Sequence, residues 1–199
     1  MNPYQITADF ERELCVYTGA PFAVAVNSCT AALQISVMWC SDMYAVRIEI
    51  PKRTYVSVPN AIVNAGCKVV WRDEVWHGCY KLKPLQVWDC ARRFTSGMYI
   101  HGQYQCVSFS TTKILGLEQG GAILHDNPDF DKWARQMRFD GRNEGVDQRE
   151  DTFDMVGLHC IMLPSTAATL LLKLYHLPKH NDDMWDYPYP DLSRFKIWE

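Results

Sequence analysis

The most constraining feature of this sequence is a regular alternation of short apolar runs and helical patterns. Phe22 to Val26 is an apolar run that leads through a polar turn into a helical pattern from Thr30 to Trp39. A strand is predicted from Ala45 to Ile50, a helix from Val58 to Asn64, and a further strand from Cys67 to Trp71. This order favours a parallel sheet with helices on both faces. The sequence therefore predicts an α/β fold with a mostly parallel central sheet.

Further elements flank this pattern on both sides. An amphipathic helix is predicted from Ala8 to Tyr17, and the last predicted helix is apolar on nearly every side, so that we expect it to pack on more than one face. The remaining predicted elements are strands at Gln86–Trp88, Gln105–Phe109 and Gly121–Leu124 and helices at Asp129–Phe139 and Pro164–Tyr175. Residues 181–199 are rich in proline and lack a period, which predicts a large domain over 1–180 and a C-terminal tail over 181–199.

Composition and charge narrow the class of protein. The 199 residues carry 20 Lys and Arg against 23 Asp and Glu, a net charge of -3 that gives no general attraction to nucleic acid, although a local basic patch is compatible with it. No apolar run approaches the roughly 18 residues of a membrane span, and the N-terminus lacks a signal core, so we expect a cytoplasmic protein. The 8 cysteines form no C-x-x-C pair and predict buried thiols. His176 and His180 are separated by Pro178, and we predict no metal site.

Polar side chains follow several of the predicted strands. Ser28, Cys29 and Thr30 begin the helix after the first strand, where free backbone N–H groups and hydroxyls suit a phosphate. Asp89 follows a later strand, and Ser108 to Lys113 follow the next one. Because ligands of α/β sheets bind at the carboxyl ends of the strands, we expect these residues to meet.

These residue types are the ones that a pyridoxal phosphate site requires. A lysine forms the Schiff base that holds the aldehyde, a carboxylate keeps the pyridine nitrogen protonated, and an aromatic side chain such as Tyr55 fixes the plane of the ring. Each residue also has a plain structural alternative. Taken alone, Lys113 could be a surface lysine, Asp89 and Ser28 helix caps, and Tyr55 a half-buried core residue.

Several motifs occur together in one order along the chain. They are Val26-Asn27-Ser28-Cys29-Thr30-Ala31, Thr54-Tyr55-Val56-Ser57, Asp89-Cys90-Ala91, Ser108-Phe109-Ser110-Thr111-Thr112-Lys113, Gln119-Gly120-Gly121 and Met137-Arg138-Phe139-Asp140-Gly141. This ordered set resembles the DegT/DnrJ/StrS family of sugar aminotransferases, which are pyridoxal phosphate enzymes of fold type I.

The resemblance implies a role for each matching position. It implies a three-layer large domain in which Lys113 forms the Schiff base and Asp89 meets the ring nitrogen. It assigns Tyr55 to the face of the ring. Ser28, Cys29, Thr30 and Ser108 are implied to bind the cofactor phosphate.

The chain also departs from the family pattern. Arg92 stands where the family usually has His or Gln beside the ring hydroxyl, and Gln119 replaces a usual Glu. His159 stands where the family usually carries an Asn that reaches the phosphate from a neighbouring subunit, so that the resemblance implies a homodimer with shared sites. The stretch from Trp71 to Asp89 is shorter than in the family, and the small C-terminal domain is lacking. We therefore expect an internally shortened member.

The expected activity follows from the resemblance. It is transfer of an amino group from an amino acid such as glutamate to a keto group of a nucleotide-linked sugar or similar substrate. Two alternatives stay open: a pyridoxal phosphate-dependent decarboxylation or rearrangement on a modified nucleotide, and a non-catalytic relative that keeps only the fold.

Overall fold

The helices and strands follow one another in the predicted order. The computed structural model describes residues 4–41, 46–185 and 188–198; Ala45 and Tyr187, which the sequence analysis includes in a strand and in the tail, and residues 1–3 lie outside them. The helices are α1 (Gln5–Thr18), α2 (Cys29–Cys40), α3 (Ser57–Asn64), α4 (Pro128–Arg138) and α5 (Pro164–His176), with short 3-10 helices at Leu192–Arg194 and Lys196–Trp198. The strands are β1 (Phe22–Val26), β2 (Arg47–Pro51), β3 (Lys68–Arg72), β4 (Tyr80–Leu82), β5 (Val87–Asp89), β6 (Tyr104–Ser108) and β7 (Gly121–His125).

The sheet is mixed in its pairing but largely uniform in direction. Its five-stranded part has the order β1-β7-β6-β5-β4, and β2 pairs in parallel with β3. An antiparallel bridge between Glu49 and Lys83 joins β2 to the end of β4, so that the two parts form one layer. β7 runs antiparallel to β1 and β6, and β4 runs antiparallel to β5. The other described strands share one direction, and the α/β fold class is confirmed.

The alternation of β1 shows how the three layers form. Val24 and Val26 face a core that includes side chains of α2, α3 and α4. Ala23 and Ala25, which point to the opposite face, join a second core with α1 and α5. Helices therefore cover both faces of the sheet, as predicted.

A buried ionic network ties α1 and α4 to β1. Glu11 is only 4% exposed. Its Oε1 accepts hydrogen bonds from the Ala25 backbone N–H at 2.8 Å and from Arg138 Nη1 at 2.5 Å, and its Oε2 accepts one from Arg135 Nη1 at 2.7 Å. Because both arginines depend on this carboxylate, the network fixes the two helices relative to the strand.

Helix α5 is less buried than its composition predicts. Within the chain it buries Ala167, Leu170 and Leu174, which form one stripe. Leu172 is 61% exposed and Tyr175 63% exposed on the other side. The expectation of packing on more than one face is therefore wrong for the single chain. No helix in the described ranges is long and apolar enough to cross a membrane.

The described part of the C-terminal segment packs onto the domain. Arg93 donates to Asp183, from Nε to Oδ1 at 2.9 Å and from Nη2 to Oδ2 at 2.5 Å. Trp198 lies edge-on to Trp71 with ring centroids 5.7 Å apart, and its Nε1 donates to Asn60 at 2.7 Å. The segment therefore contacts both the loop after β5 and the region of α3 and β3.

Candidate active site

A cavity of about 330 Å³ opens where β1, β2, β5 and β6 end. Eight of the residues singled out in the sequence line it: Ser28, Cys29, Thr30, Tyr55, Asp89, Arg92, Ser108 and Lys113. Those strands run in one direction, so their carboxyl ends lie at one edge of the sheet. The topology thus brings together residues that are far apart in the sequence.

Hydroxyl groups and a helix N-terminus form one end of the cavity. Ser28 is the N-cap of α2, and its Oγ accepts a hydrogen bond from the Ala31 backbone N–H at 3.1 Å. Thr30 Oγ1 donates to Ser57 Oγ at 2.7 Å, which joins the first turns of α2 and α3. The Cys29 thiol donates to the Cys106 carbonyl at 3.6 Å. The first backbone N–H groups of an α-helix have no intrahelical acceptor and favour an anion at this end.

Asp89 lies on the floor of the cavity at the last position of β5. Only 3% of the residue is exposed. Its Oδ1 accepts a hydrogen bond from the Ala91 backbone N–H at 2.9 Å, and its Oδ2 accepts one from the Tyr80 hydroxyl at 2.9 Å. Burial raises the pKa of Asp89, while those two hydrogen bonds and the charge of Lys113 act in the opposite direction.

Lys113 follows β6 in a turn whose backbone N–H donates to the Ser110 carbonyl at 2.9 Å. Burial lowers the pKa of Lys113, because an ammonium group loses hydration there. The charge of Asp89 opposes this effect and the charge of Arg92 adds to it. The cavity therefore holds a carboxylate and a partly buried amine that are close enough for their charges to interact.

Aromatic side chains stand at the open side of the cavity. Tyr55 is 57% exposed. Its ring lies edge-on to that of Tyr189, with centroids 6.5 Å apart, and Tyr189 in turn stacks on Trp76 at 6.1 Å and 17°. Tyr189 comes from the segment that the sequence predicts to be a tail, so that its place in the cavity could not be predicted from composition.

Arg92 lines the cavity but is also committed to the C-terminal segment. Its Nε donates to the Met184 carbonyl at 3.0 Å and its Nη2 to the Trp185 carbonyl at 2.5 Å. The residue is only 7% exposed. It therefore fastens this segment beside the cavity, in addition to any contact with a ligand.

His159 lies outside the cavity that the other predicted residues line. Its side chain is 74% exposed, and its Nδ1 is 2.9 Å from Asp140 Oδ2. It lines a separate hollow of about 170 Å³ together with Gln119. Within one chain, His159 does not meet the residues of the main cavity.

Sequence reasoning missed two buried residues beside Asp89, Tyr80 and Thr54. Tyr80 lies on β4, whose three residues are too few for a strand pattern to stand out. The one signal in the sequence is the alternation of Tyr80 and Leu82, both of which are buried.

Fold and cavity together define an α/β protein of the aminotransferase type, with polar residues gathered at the carboxyl edge of its sheet. The chain belongs to the DegT/DnrJ/EryC1/StrS aminotransferase family, whose model matches residues 1–101 and 97–184. No curated protein sequence matches the chain.

Solved structures of aminotransferase-like proteins share this fold at low sequence identity. AtS13 from Actinomadura melliaura superimposes with a TM-score of 0.71 at 18% identity, over 86% of this chain and 59% of that one. DesV from S. venezuelae, solved with a ketimine intermediate, gives 0.70 at 20% identity, over 86% and 57%. The PMP form of a protein named as a sugar aminotransferase, from Streptococcus pneumoniae, gives 0.72 at 19% identity, over 87% and 59%. The chain thus covers less than two thirds of each of these proteins.

Proposed function

We propose that the chain binds pyridoxal phosphate and catalyses amino-group transfer. The observation that carries this proposal is the meeting of buried Asp89 and partly buried Lys113 in one cavity whose other end presents hydroxyls and a helix N-terminus. The three groups match the three polar parts of the cofactor, which are a pyridine nitrogen, an aldehyde and a phosphate. The residues present therefore fit the cofactor.

Each of these groups would have a definite task. Pyridoxal phosphate supplies an aldehyde carbon and an electron-accepting ring. Lys113 would hold the aldehyde carbon through its Nζ and would then move a proton as a general base, a role that its lowered pKa favours. Asp89 would hold a proton on the ring nitrogen through a carboxylate oxygen.

The phosphate end would be held by neutral donors. Ser28, Thr30 and Ser108 line that part of the cavity, and Cys29 would contribute its backbone N–H at the start of α2. Tyr55 would cover a face of the ring. Arg92 would lie near the ring hydroxyl while keeping its contacts to the C-terminal segment.

For the substrates, we propose an amino acid such as glutamate as donor and a keto group of a nucleotide-linked sugar or similar molecule as acceptor. Family membership and the name of the Streptococcus pneumoniae structure support a sugar acceptor. We also propose a cytoplasmic location, because the 8 cysteines are free thiols, as is usual in a reducing compartment.

We further propose a homodimer in which His159 reaches the phosphate held by the other subunit. His159 is exposed and lies outside its own cavity, and α5 leaves Leu172 and Tyr175 exposed, which a partner could cover. Sedimentation at micromolar concentration should show a dimer. His159→Ala should weaken cofactor binding without dissociating the dimer, and a fully active monomer would contradict the arrangement.

Incubation with pyridoxal phosphate and glutamate tests the reaction. A transaminase releases 2-oxoglutarate and converts the cofactor to its amine form, which changes the visible absorbance. Lys113→Ala should abolish this conversion, whereas Lys132→Ala, on α4 and outside the cavity, should leave it unchanged. Release of carbon dioxide instead would favour the decarboxylase alternative. Absence of any cofactor spectrum would favour a non-catalytic relative.

A further inference from the structure

Tyr80 is a buried side chain that the steps above do not use. It is 2% exposed, and it lies opposite Asp89 in the antiparallel register of β4 and β5. Its ring packs on Trp76 with centroids 4.7 Å apart, a contact that any aromatic residue could make. Its hydroxyl requires a separate explanation, because a buried O–H group is costly unless it has partners.

The Tyr80 hydroxyl takes part in two hydrogen bonds that fix each other's direction. It donates to Asp89 Oδ2 at 2.9 Å, and it lies 2.6 Å from Thr54 Oγ1. A phenol has only one proton, so Thr54 must be the donor in the second bond when Asp89 is ionised. The hydrogen bonds then run from Thr54 to Tyr80 and from Tyr80 to Asp89.

This chain of donors has its effect on the carboxylate at its end. The Ala91 backbone N–H occupies Oδ1 of Asp89, so that each carboxylate oxygen accepts one hydrogen bond and the plane of the group is fixed. Burial alone would favour the neutral acid. Tyr80 remains a donor throughout, because burial and the charge of Asp89 hold the pKa of its phenol well above its ordinary value.

We propose that Tyr80, supported by Thr54, is a positioning residue that keeps Asp89 ionised and oriented toward the cavity. This inference rests on the proposed function, in which Asp89 must carry a charge to hold a proton on the ring nitrogen. The short strand β4 then serves to deliver the Tyr80 hydroxyl to Asp89. Thr54 acts only through Tyr80.

Carbon-13 NMR of the Asp89 carboxyl in the cofactor-free full-length chain tests the proposal without any activity measurement. Tyr80→Phe keeps the ring and removes the donor, and it should raise the midpoint of the Asp89 titration by about one to two pH units, the equivalent of a hydrogen bond to a charged group. Thr54→Val should raise it less. The double variant should not exceed Tyr80→Phe, because Thr54 has no route to Asp89 other than Tyr80. Asp89→Asn identifies the signal by its loss.

A matched control removes a tyrosine hydroxyl elsewhere. The Tyr99 hydroxyl donates to the Gln103 carbonyl at 3.1 Å, and Tyr99→Phe should leave the Asp89 midpoint unchanged. An unchanged midpoint in folded Tyr80→Phe overturns the proposal. Should that variant fail to fold, Thr54→Val decides, and the absence of any shift in it overturns the proposal as well.

Titration of the same samples with pyridoxal phosphate keeps this proposal separate from the proposed function. For Tyr80→Phe we expect binding to weaken about tenfold per unit of midpoint shift near neutral pH and to recover as the pH rises past the new midpoint. If the wild-type chain does not bind the cofactor, the proposed function fails. The NMR midpoints still decide what Tyr80 does to Asp89.

Discussion

Gly121 lies so close to Cys29 that a Cβ atom on Gly121 would be 2.5 Å from the Cys29 backbone nitrogen. The carbonyl carbon of Ser28 would be equally close. This approach places the start of β7 against the first turn of α2, next to the bridge between Ser28 and Gly120. The obstruction is backbone, so a side chain at 121 could be accommodated only by moving the helix N-terminus.

We therefore expect Gly121→Ala to weaken pyridoxal phosphate binding and to lower stability. Gly145→Ala is the control, because Gly145 has a φ of +83° but a Cβ added there would meet nothing within 4 Å, so it should lose only the roughly 1–2 kcal/mol of a left-handed backbone. Thermal unfolding and cofactor titration measure both effects. Cofactor affinity at the wild-type level in Gly121→Ala would show that the close approach does not shape the phosphate end.

Lys113 should be the lysine that pyridoxal phosphate and borohydride label. Its lowered pKa leaves more of the amine neutral at a given pH than is the case for exposed lysines, and only the neutral amine attacks an aldehyde. Labelling should fall as the pH drops below that lowered pKa. Peptide mass spectrometry locates the adduct, and Lys113→Arg should abolish it. A dominant adduct on another lysine would contradict the assignment.

Asp89→Asn should separate activity from folding. The amide can accept from Ala91 and donate to Tyr80, which can in turn donate to Thr54, so the buried hydrogen bonds are retained with two of them reversed. Turnover should nevertheless fall on the order of a hundredfold or more, because an amide cannot hold the ring nitrogen in its protonated state. Wild-type turnover in this variant would refute the role of Asp89.

The same substitution gives a pH-dependent prediction for stability. The pKa of Asp89 is raised in the folded chain above its ordinary value of 3.8, so the folded state holds this proton more tightly than the unfolded state. Wild-type stability from this group is therefore lost as the pH rises through the folded pKa. Asp89→Asn should melt at a higher temperature than the wild type at neutral pH, and the difference should vanish in acid. Calorimetry at several pH values measures it.

Much of the fold could be predicted from the sequence because its signals are local. The apolar run Phe22–Val26 and the helical pattern after it are complete within a few residues, and both elements are present as β1 and α2. The ordered motifs predicted residues that do share one cavity, including Asp89 and Lys113. Their catalytic roles remain predictions.

What could not be predicted depends on pairing between distant segments. Tyr80 becomes relevant only through its register with Asp89, and Tyr189 only because the C-terminal segment folds back to the cavity. The exposed side of α5 is a third case, since an apolar composition does not reveal which side of a helix its own chain covers. No periodicity within a short window contains this information.

Glu11→Gln should destabilise the chain without acting on the cavity directly. The change removes the charge that compensates Arg135 and Arg138, and Arg138 is only 4% exposed. Breaking a buried pair of this kind costs about 3–5 kcal/mol. Denaturant unfolding measures the loss, and Asp9→Asn on the exposed side of α1 serves as a control that should change little. Equal stability of the two variants would show that the network contributes nothing.

The position of β7 in the sheet has a consequence for the rate of folding. β1 pairs only with β7 among the described strands of its sheet, and Phe22 lies opposite His125, so the N-terminal strand has no strand partner until a loop of about a hundred residues has closed. Contacts of such long range slow the search for the native state. During that interval the apolar run Phe22–Val26 is an unpaired edge. The chain would then be most prone to aggregate before β7 joins β1, and a prompt supply of a chaperone that shields apolar strands should raise the yield of refolding.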